Sequence, residues 1–407
     1  MRIMFLGDRL WGTSAYAKVQ YNLAKRLVEK GHQVAHTPMG RALRGGEMSY
    51  GGILLQRSSP GDIFGEDIAV HNYTKFRADI LITVKEPWVF QSLHQQAINF
   101  CPMAVIDHSP VSMFITSKIK TAFRVIAIST FGQRELKMNG IESNYIPHGV
   151  DTKIYRPLSE EQRKECRKMF LLPEDAFVVL IIALNRSRKM IPRMLRGYKR
   201  FVESNPDVKT RLMLWTDIYP AEPSEEDYTP GVADVGVNLL PEILSLGLND
   251  IVMWPEAKLI REGIPEWSEG GWDMVKLINS ADCLLLCSGG EGAGLPYLEA
   301  NSCGVVPIGT DYAGAPEYVG PGITVPWSDY VILNTAGTRY ALADIDSMAS
   351  AIERVLNTDR ERASRKCRRF AERFDWEIIV EKYFTPFLED CEADLRPLVT
   401  AEGVKKW

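Results

Sequence analysis

The chain of 407 residues has no apolar run approaching the 18 or so residues that a membrane-spanning helix needs. No transmembrane segment is therefore expected. Cysteine is sparse and unpatterned: Cys101, Cys166, Cys283, Cys287, Cys303, Cys367 and Cys391 are odd in number and include no Cys-x-x-Cys pair. That argues against a zinc site or a disulfide framework. Several of the seven sit in apolar runs, where a free thiol acts as a small hydrophobe. A cytoplasmic, reducing location fits this usage. Charge of one sign is also lacking. With a net charge of −4 the chain as a whole carries no basic footprint for nucleic acid, although a local patch stays open. Internal repeats and low-complexity segments are absent. The opening Met1-Arg2-Ile3-Met4-Phe5-Leu6-Gly7-Asp8 is too short, and too soon followed by charge, for a signal peptide, and it reads as a first strand.

What is present is strand and helix in alternation, over a length that suits two cores. After the strand Arg2 to Gly7, Ser14 or Thr13 can cap a helix to about Lys30, with Val19, Leu23 and Leu27 on one face and Gly31 ending it. Gln33 to His36 is the next strand. Residues 39–66 are irregular and glycine-rich, either an acceptor loop or a flexible surface hairpin. Ile80-Leu81-Ile82-Thr83, Ala104-Val105-Ile106 and Val125-Ile126-Ala127-Ile128 read as parallel strands. The second of these runs into Asp107-His108-Ser109-Pro110, which puts His108 on the ligand side of such a sheet or simply in a hydrogen-bonded turn. Phe177 to Ala183 is apolar throughout and reads as a central buried strand. It leads into Asn185-Arg186-Ser187-Arg188-Lys189, a basic cluster well placed for a diphosphate. Residues 217–238 form an acidic insertion, a lid or a partner surface.

The stretch around which the chain is organised follows the apolar run Cys283-Leu284-Leu285-Leu286-Cys287. Ser288-Gly289-Gly290 breaks that strand. Glu291-Gly292-Ala293-Gly294-Leu295-Pro296-Tyr297-Leu298-Glu299-Ala300 then forms a glycine loop and a helix, with Pro296 suited to the first turn. The helix ends near Gly304, and Val305 to Gly309 is the next strand. Such units bind phosphorylated ligands at strand carboxyl ends, with backbone amides and a helix N-terminus facing the anion. Glu291 starts the loop and projects into the crevice. Glu299, eight residues on, either reaches the hydroxyls of a ribose or complements the helix dipole.

Glu-Gly-x-Gly-Leu-Pro-x-x-Glu-Ala, followed by a Cys-Gly and a strand, resembles the donor-site signature of glycosyltransferase family 4, retaining enzymes that use nucleotide sugars. Ala293 stands where that family usually has an aromatic residue. Ile146-Pro147-His148-Gly149-Val150-Asp151 resembles the family's hinge stretch, and Asp311-Tyr312-Ala313-Gly314-Ala315-Pro316-Glu317 its glycine turn and glutamate. The resemblance implies an α/β fold of the GT-B type, two Rossmann-like domains facing each other across a cleft. It implies an acceptor domain at residues 1–150, a donor domain at 151–375, and a terminal helix at 376–407 crossing back onto the first domain. It implies catalytic roles for Glu291, Lys189 and His108. Donor-binding roles fall to Gly12, Thr13, Arg186, Arg188, Lys189, Trp254, Gly292, Ala293, Gly294, Leu295 and Glu299. Arg186 and Arg188 compete for one phosphate-binding role, Trp254 faces a base or lies in the core, and Gly12 binds donor or only makes its turn. No metal and no cofactor are expected, the nucleotide sugar being a co-substrate; Asp344-Ile345-Asp346, the one Asp-x-Asp considered, reads as a helix start.

The expectation is a retaining, metal-independent hexosyltransferase using a UDP- or GDP-sugar. Glycan, lipid, protein or modified DNA remain open as acceptor. The alternatives are transfer to hydroxymethylated DNA bases, a nucleotide-sugar epimerase of the same fold, and a non-catalytic nucleotide-sugar-binding module.

Overall fold

The computed structural model describes residues 1–40, 42–43, 45–219, 236–255, 273–334 and 337–395, arranged as helices around two sheets. The strands of the first sheet are β1 (Arg2–Gly7), β2 (Gln33–Pro38), β3 (Met48–Tyr50), β4 (Ile53–Leu55), β5 (Ile80–Val84), β6 (Phe100–Ala104), β7 (Ile126–Ala127) and β8 (Asn144–Tyr145). Among the described residues they lie in the order β3-β4-β2-β1-β5-β6-β7-β8, parallel except at β3–β4. The second sheet contains β9 (Phe177–Ile182), β10 (Thr210–Trp215), β11 (Val252–Met253), β12 (Cys283–Leu286), β13 (Val306–Thr310) and β14 (Ile323–Val325). Its order is β11-β10-β9-β12-β13-β14, parallel throughout. A hairpin of β15 (Trp327–Ile332) and β16 (Arg339–Ala343) stands beside it. No helix of the described residues is long and apolar enough to cross a membrane.

The central strands are apolar because helices cover both their faces. Ile3 to Leu6 of β1 and Val178 to Ile181 of β9 are wholly buried. The helix Ala15–Glu29 lays Val19, Leu23 and Leu27 into the first core. Ser14, not Thr13, caps it, accepting the Ala17 N–H at 3.1 Å. In the second sheet the strand order reverses between β9 and β12, where a crevice opens at the carboxyl ends.

Three elements differ from the sequence expectation. The strand placed at 104–106 is Phe100–Ala104, paired with Leu81 to Val84. Val105 meets the other half of the molecule, where a Cβ on Gly292 would lie 2.7 Å from its methyl, and Ile106 fills the first half's own core beside Ile115 and Leu136. Residues 39–66 include the hairpin β3–β4, turning through Gly51 and Gly52 at φ 59° and 82°, so the hairpin alternative holds for that part. β4 joins the main sheet beside β2, burying Ile53 and Leu55. Strands of three residues are too short for their alternation to show in sequence. The final helix runs past Glu389 to Leu395, through Trp376–Ile379, a π turn at Val380–Phe384, and Thr385–Leu395. It lies against the first sheet's half: Glu377 accepts from Arg26 at 3.0 Å, Asp394 pairs with Arg124 at 2.6 Å, and Glu381 pairs with Lys30. Trp376 packs on Gly149, where a Cβ would sit 2.6 Å from the indole. Most of the 217–238 insertion and the end of the chain fall outside the described residues.

Candidate active site

Adjacent parallel strands bring two loops to one edge. β9 ends at Ile182, and Ser187–Lys189 forms a single 3-10 turn before the helix Ile191–Ser204. β12 ends at Leu286, and the loop 287–294 leads to the helix Leu295–Ser302, with Pro296 in its first turn and Gly294 at φ 77°. The loops touch: Gly289 N–H donates to Arg188 O at 2.8 Å. A Cβ on Gly289 would meet that oxygen at 3.2 Å and Tyr340 Cβ at 2.8 Å, so the approach requires glycine. Across the cleft the turn after β6 meets the same loop, since a Cβ on Gly290 would lie 2.2 Å from Asp107 O.

Glu291 is buried at the centre. Its Oε1 accepts from Lys189 Nζ and from Ser288 Oγ, both at 2.5 Å. Arg188 lies 3.9 Å from Glu291 Oε2 and 4.0 Å from Asp107 Oδ2, and donates to Gly290 O at 3.2 Å. Burial pushes the Glu291 carboxyl up, but Lys189, Arg188 and the Ser288 hydroxyl outweigh it and hold the carboxyl below its usual range. Asp107 behaves alike: burial raises it, and His108, Arg188 and Lys189 bring it below. Both carboxylates are therefore ionised at neutral pH. The N–H groups of Gly292, Ala293 and Gly294 donate to no acceptor among the described residues. Gly292 and Ala293 are buried and Gly294 is half-buried, and the three lead into the helix N-terminus at Leu295, where the potential is positive.

The remaining residues named from sequence divide. Arg188, rather than the exposed Arg186, is the arginine brought beside Glu291. Leu295 is buried at the start of its helix. His108 takes the turn role: its Nδ1 lies 2.7 Å from Asp107 Oδ1, and its Nε2 accepts the Ser112 N–H at 3.1 Å. Both ring nitrogens are thus engaged within the turn. Gly12 N–H closes a turn on Arg9 O at 2.8 Å, and Thr13 is exposed. Trp254 is 37% exposed, so the core alternative fails. Glu299 is buried, and its Oε1 accepts from Lys18 Nζ at 3.0 Å; the same ammonium reaches Tyr155 OH at 3.1 Å.

Several polar residues at this edge were not singled out from sequence. Lys18 is one, on the helix Ala15–Glu29. Asp8 accepts from Ser14 Oγ at 2.6 Å and pairs with Lys85 at 3.2 Å; Tyr16 OH donates to Glu86 at 2.5 Å. Asp8, Lys85, Glu86 and Asp107 each stand just beyond the carboxyl end of β1, β5 or β6, which is the signal that would have found them. Among the described residues no group of three or more His, Cys, Asp or Glu is arranged to hold a metal ion.

Comparison with known proteins places the fold. Sucrose-phosphate synthase from Thermosynechococcus elongatus superposes with a TM-score of 0.72 at 16% identity, covering 97% of this chain and 100% of that one. The fold is GT-B. HepE of Anabaena, solved in complex with UDP-glucose, shares this GT-B frame with a TM-score of 0.69 at 16% identity, over 96% of this chain and 100% of its own. Residues 266–373, which include the Glu291 loop, match the family described as "Glycosyl transferases group 1". The D-inositol 3-phosphate glycosyltransferase of Saccharomonospora viridis is 26% identical over 230 residues, 56% of this chain and 46% of that protein. The chain thus spans about half the length of the curated relatives it matches.

Proposed function

We propose that the protein is a retaining glycosyltransferase that moves a sugar from a UDP- or GDP-linked donor to an acceptor hydroxyl without a metal ion. The observation that carries this is the convergence of Lys189, Arg188 and three N–H groups without an acceptor around the buried Glu291, at the edge where β9 and β12 end. A diphosphate placed there meets two cations and the loop amides of Gly292, Ala293 and Gly294. Lys189 is now held by Glu291; a phosphate shares the ammonium and leaves the carboxylate to accept hydroxyls of the sugar. Glu299 takes the ribose hydroxyls, held in place by Lys18.

As the sugar–phosphate bond breaks, negative charge grows on the leaving diphosphate. Fixed donors aimed at that position stabilise the transition state more than the ground state. The acceptor hydroxyl oxygen then joins the anomeric carbon on the face the phosphate leaves and passes its proton to the departing phosphate oxygen, which retains the configuration. Cations and amides supply the charge that a metal would otherwise bring. Neither the epimerase nor the hydroxymethylated-DNA reading has an observation of its own in its favour. Proton NMR of the product, formed from UDP- or GDP-sugar in excess EDTA, tests the proposal. The donor's anomeric configuration should persist. An inverted product, or activity lost in EDTA and restored by manganese, contradicts it.

A further inference from the structure

A groove of about 650 Å³ opens between the two halves, beside the candidate reacting centre and separate from the Glu291 loop. Ser109, Thr130, Phe131 and Arg134 form one wall, and Asp311, Tyr312, Ala313, Pro316, Glu317 and Trp327 the other. Its floor is an aromatic row. The Tyr312 ring lies 6.3 Å from Phe131 and 5.2 Å from Trp327 between centroids. The row is held rigidly. Tyr312 OH accepts the Ser109 N–H at 2.9 Å and donates to Arg339 O at 3.1 Å, and Trp327 Nε1 donates to Asp311 O at 3.1 Å. Glu317 is committed too, accepting from Thr130 N at 2.7 Å, Thr130 Oγ1 at 2.6 Å and Tyr145 OH at 2.5 Å.

What this leaves for a ligand is specific. Trp327 is 40% exposed although its indole N–H is satisfied internally, so it offers a ring face. The Asp311 carboxylate and the Arg134 guanidinium, which stacks 5.1 Å over Phe131, are exposed at the rims. A flat apolar ring flanked by a group that only accepts and a group that only donates matches a pyranose, with one C–H-bearing face and a rim of hydroxyls. A lipid tail would give no hydrogen bond to the Asp311 carboxylate or to the Arg134 guanidinium, whose ion pair with Glu135 is a loose 3.6 Å. A polyphosphate chain would meet the carboxylates of Asp311 and Glu317 on one wall. The groove adjoins the chemistry: Ser109 lines it, and two residues back Asp107 stands 4.0 Å from Arg188.

We propose that this groove is a saccharide subsite that holds a neutral sugar unit of the acceptor, Trp327 under the ring and Asp311 and Arg134 on its hydroxyls. The inference rests on the glycosyl-transfer reading, which makes the groove the neighbour of the reacting centre. Binding is measured on the full chain by saturation-transfer NMR and calorimetry, with maltotetraose, cellotetraose, chitotetraose and mannotetraose, and with the oligonucleotide dT8 as the competing class. At least one tetrasaccharide should bind the parent. Trp327→Ala should weaken it about tenfold or more, the scale of a lost aromatic contact with its area. Arg134→Met should weaken it several-fold at unchanged melting temperature, and serves alone if Trp327→Ala does not fold. Donor cleavage without acceptor reports on the transfer reading by itself and should be unchanged in both variants. The subsite is overturned if none of the four tetrasaccharides binds, if binding survives both substitutions, or if dT8 binds in their place.

Discussion

Lys189→Ala separates a phosphate-binding lysine from one that merely balances a buried glutamate. Its side chain is 13% exposed and that of Glu291 8%, with 2.5 Å between the charges. Breaking a buried pair commonly costs about 3–5 kcal/mol, because the remaining charge is left alone. Here Glu291 is not left alone. Ser288 still donates at 2.5 Å, and Arg188 at 3.9 Å retains an attraction of about 4 kcal/mol at an effective dielectric of about 20. The stability loss should therefore be about 1–3 kcal/mol, below the full cost of an orphaned charge. Turnover should fall further. Losing one preorganised donor raises a barrier by about 2.7–4 kcal/mol, or at least about 10²-fold in rate. The assay is steady-state release of nucleoside diphosphate, with denaturant unfolding in parallel. The double variant Lys189→Met, Glu291→Gln removes the charge imbalance and should recover stability but not turnover. A folded Lys189→Ala protein with turnover within a few-fold of the parent would refute the phosphate role.

Other predictions follow from single contacts. Glu299→Ala should weaken nucleoside diphosphate binding by about 1.5–3 kcal/mol by calorimetry, the size of a charged hydrogen bond; unchanged affinity would leave Glu299 only its bond to Lys18. Burial holds His36 at about 3 and His148 at about 4, below the ordinary value of 6.5. Their unfolded forms take up protons that the folded forms refuse, so stability is full above pH 6.5 and falls toward pH 4. Each histidine contributes about 1.4 kcal/mol per pH unit to that slope. Urea midpoints across that range check the sign, and His148→Asn should lower the slope by about one proton's worth. Gly149→Ala should destabilise by about 1–3 kcal/mol through overpacking, since the new methyl meets the Trp376 ring and Phe374 O at 3.0 Å; a variant as stable as the parent in urea would show that the terminal helix gives way instead.

Long apolar strands were the legible part of the fold. β9 and β12 are buried on both faces, so their composition alone marks them, and the loops leaving them carry Lys189 and Glu291. The three-residue hairpin strands and the true position of β6 were not legible, the latter because Val105 and Ile106 are apolar beyond the strand's end, Val105 against the other half and Ile106 in the first half's core. Within the site, spacing in the chain pointed to the loop and its two glutamates but could not supply partners. Lys18 is 281 residues from Glu299 and sits among other polar residues on a surface helix, so only the folded chain joins them. The commitment of both His108 nitrogens depends on a backbone N–H four residues on, which no composition reveals.

The central claim is that Glu291, Lys189 and the loop amides cleave a nucleotide sugar. Incubation of the protein with a panel of UDP- and GDP-sugars, with and without mixed acceptors, tests it most directly through release of nucleoside diphosphate. The account predicts release from at least one donor, faster with an acceptor than by hydrolysis, and reduced about 10²-fold or more by Glu291→Gln. A folded protein that neither binds nor cleaves any donor of the panel, or a Glu291→Gln variant as fast as the parent, would contradict it.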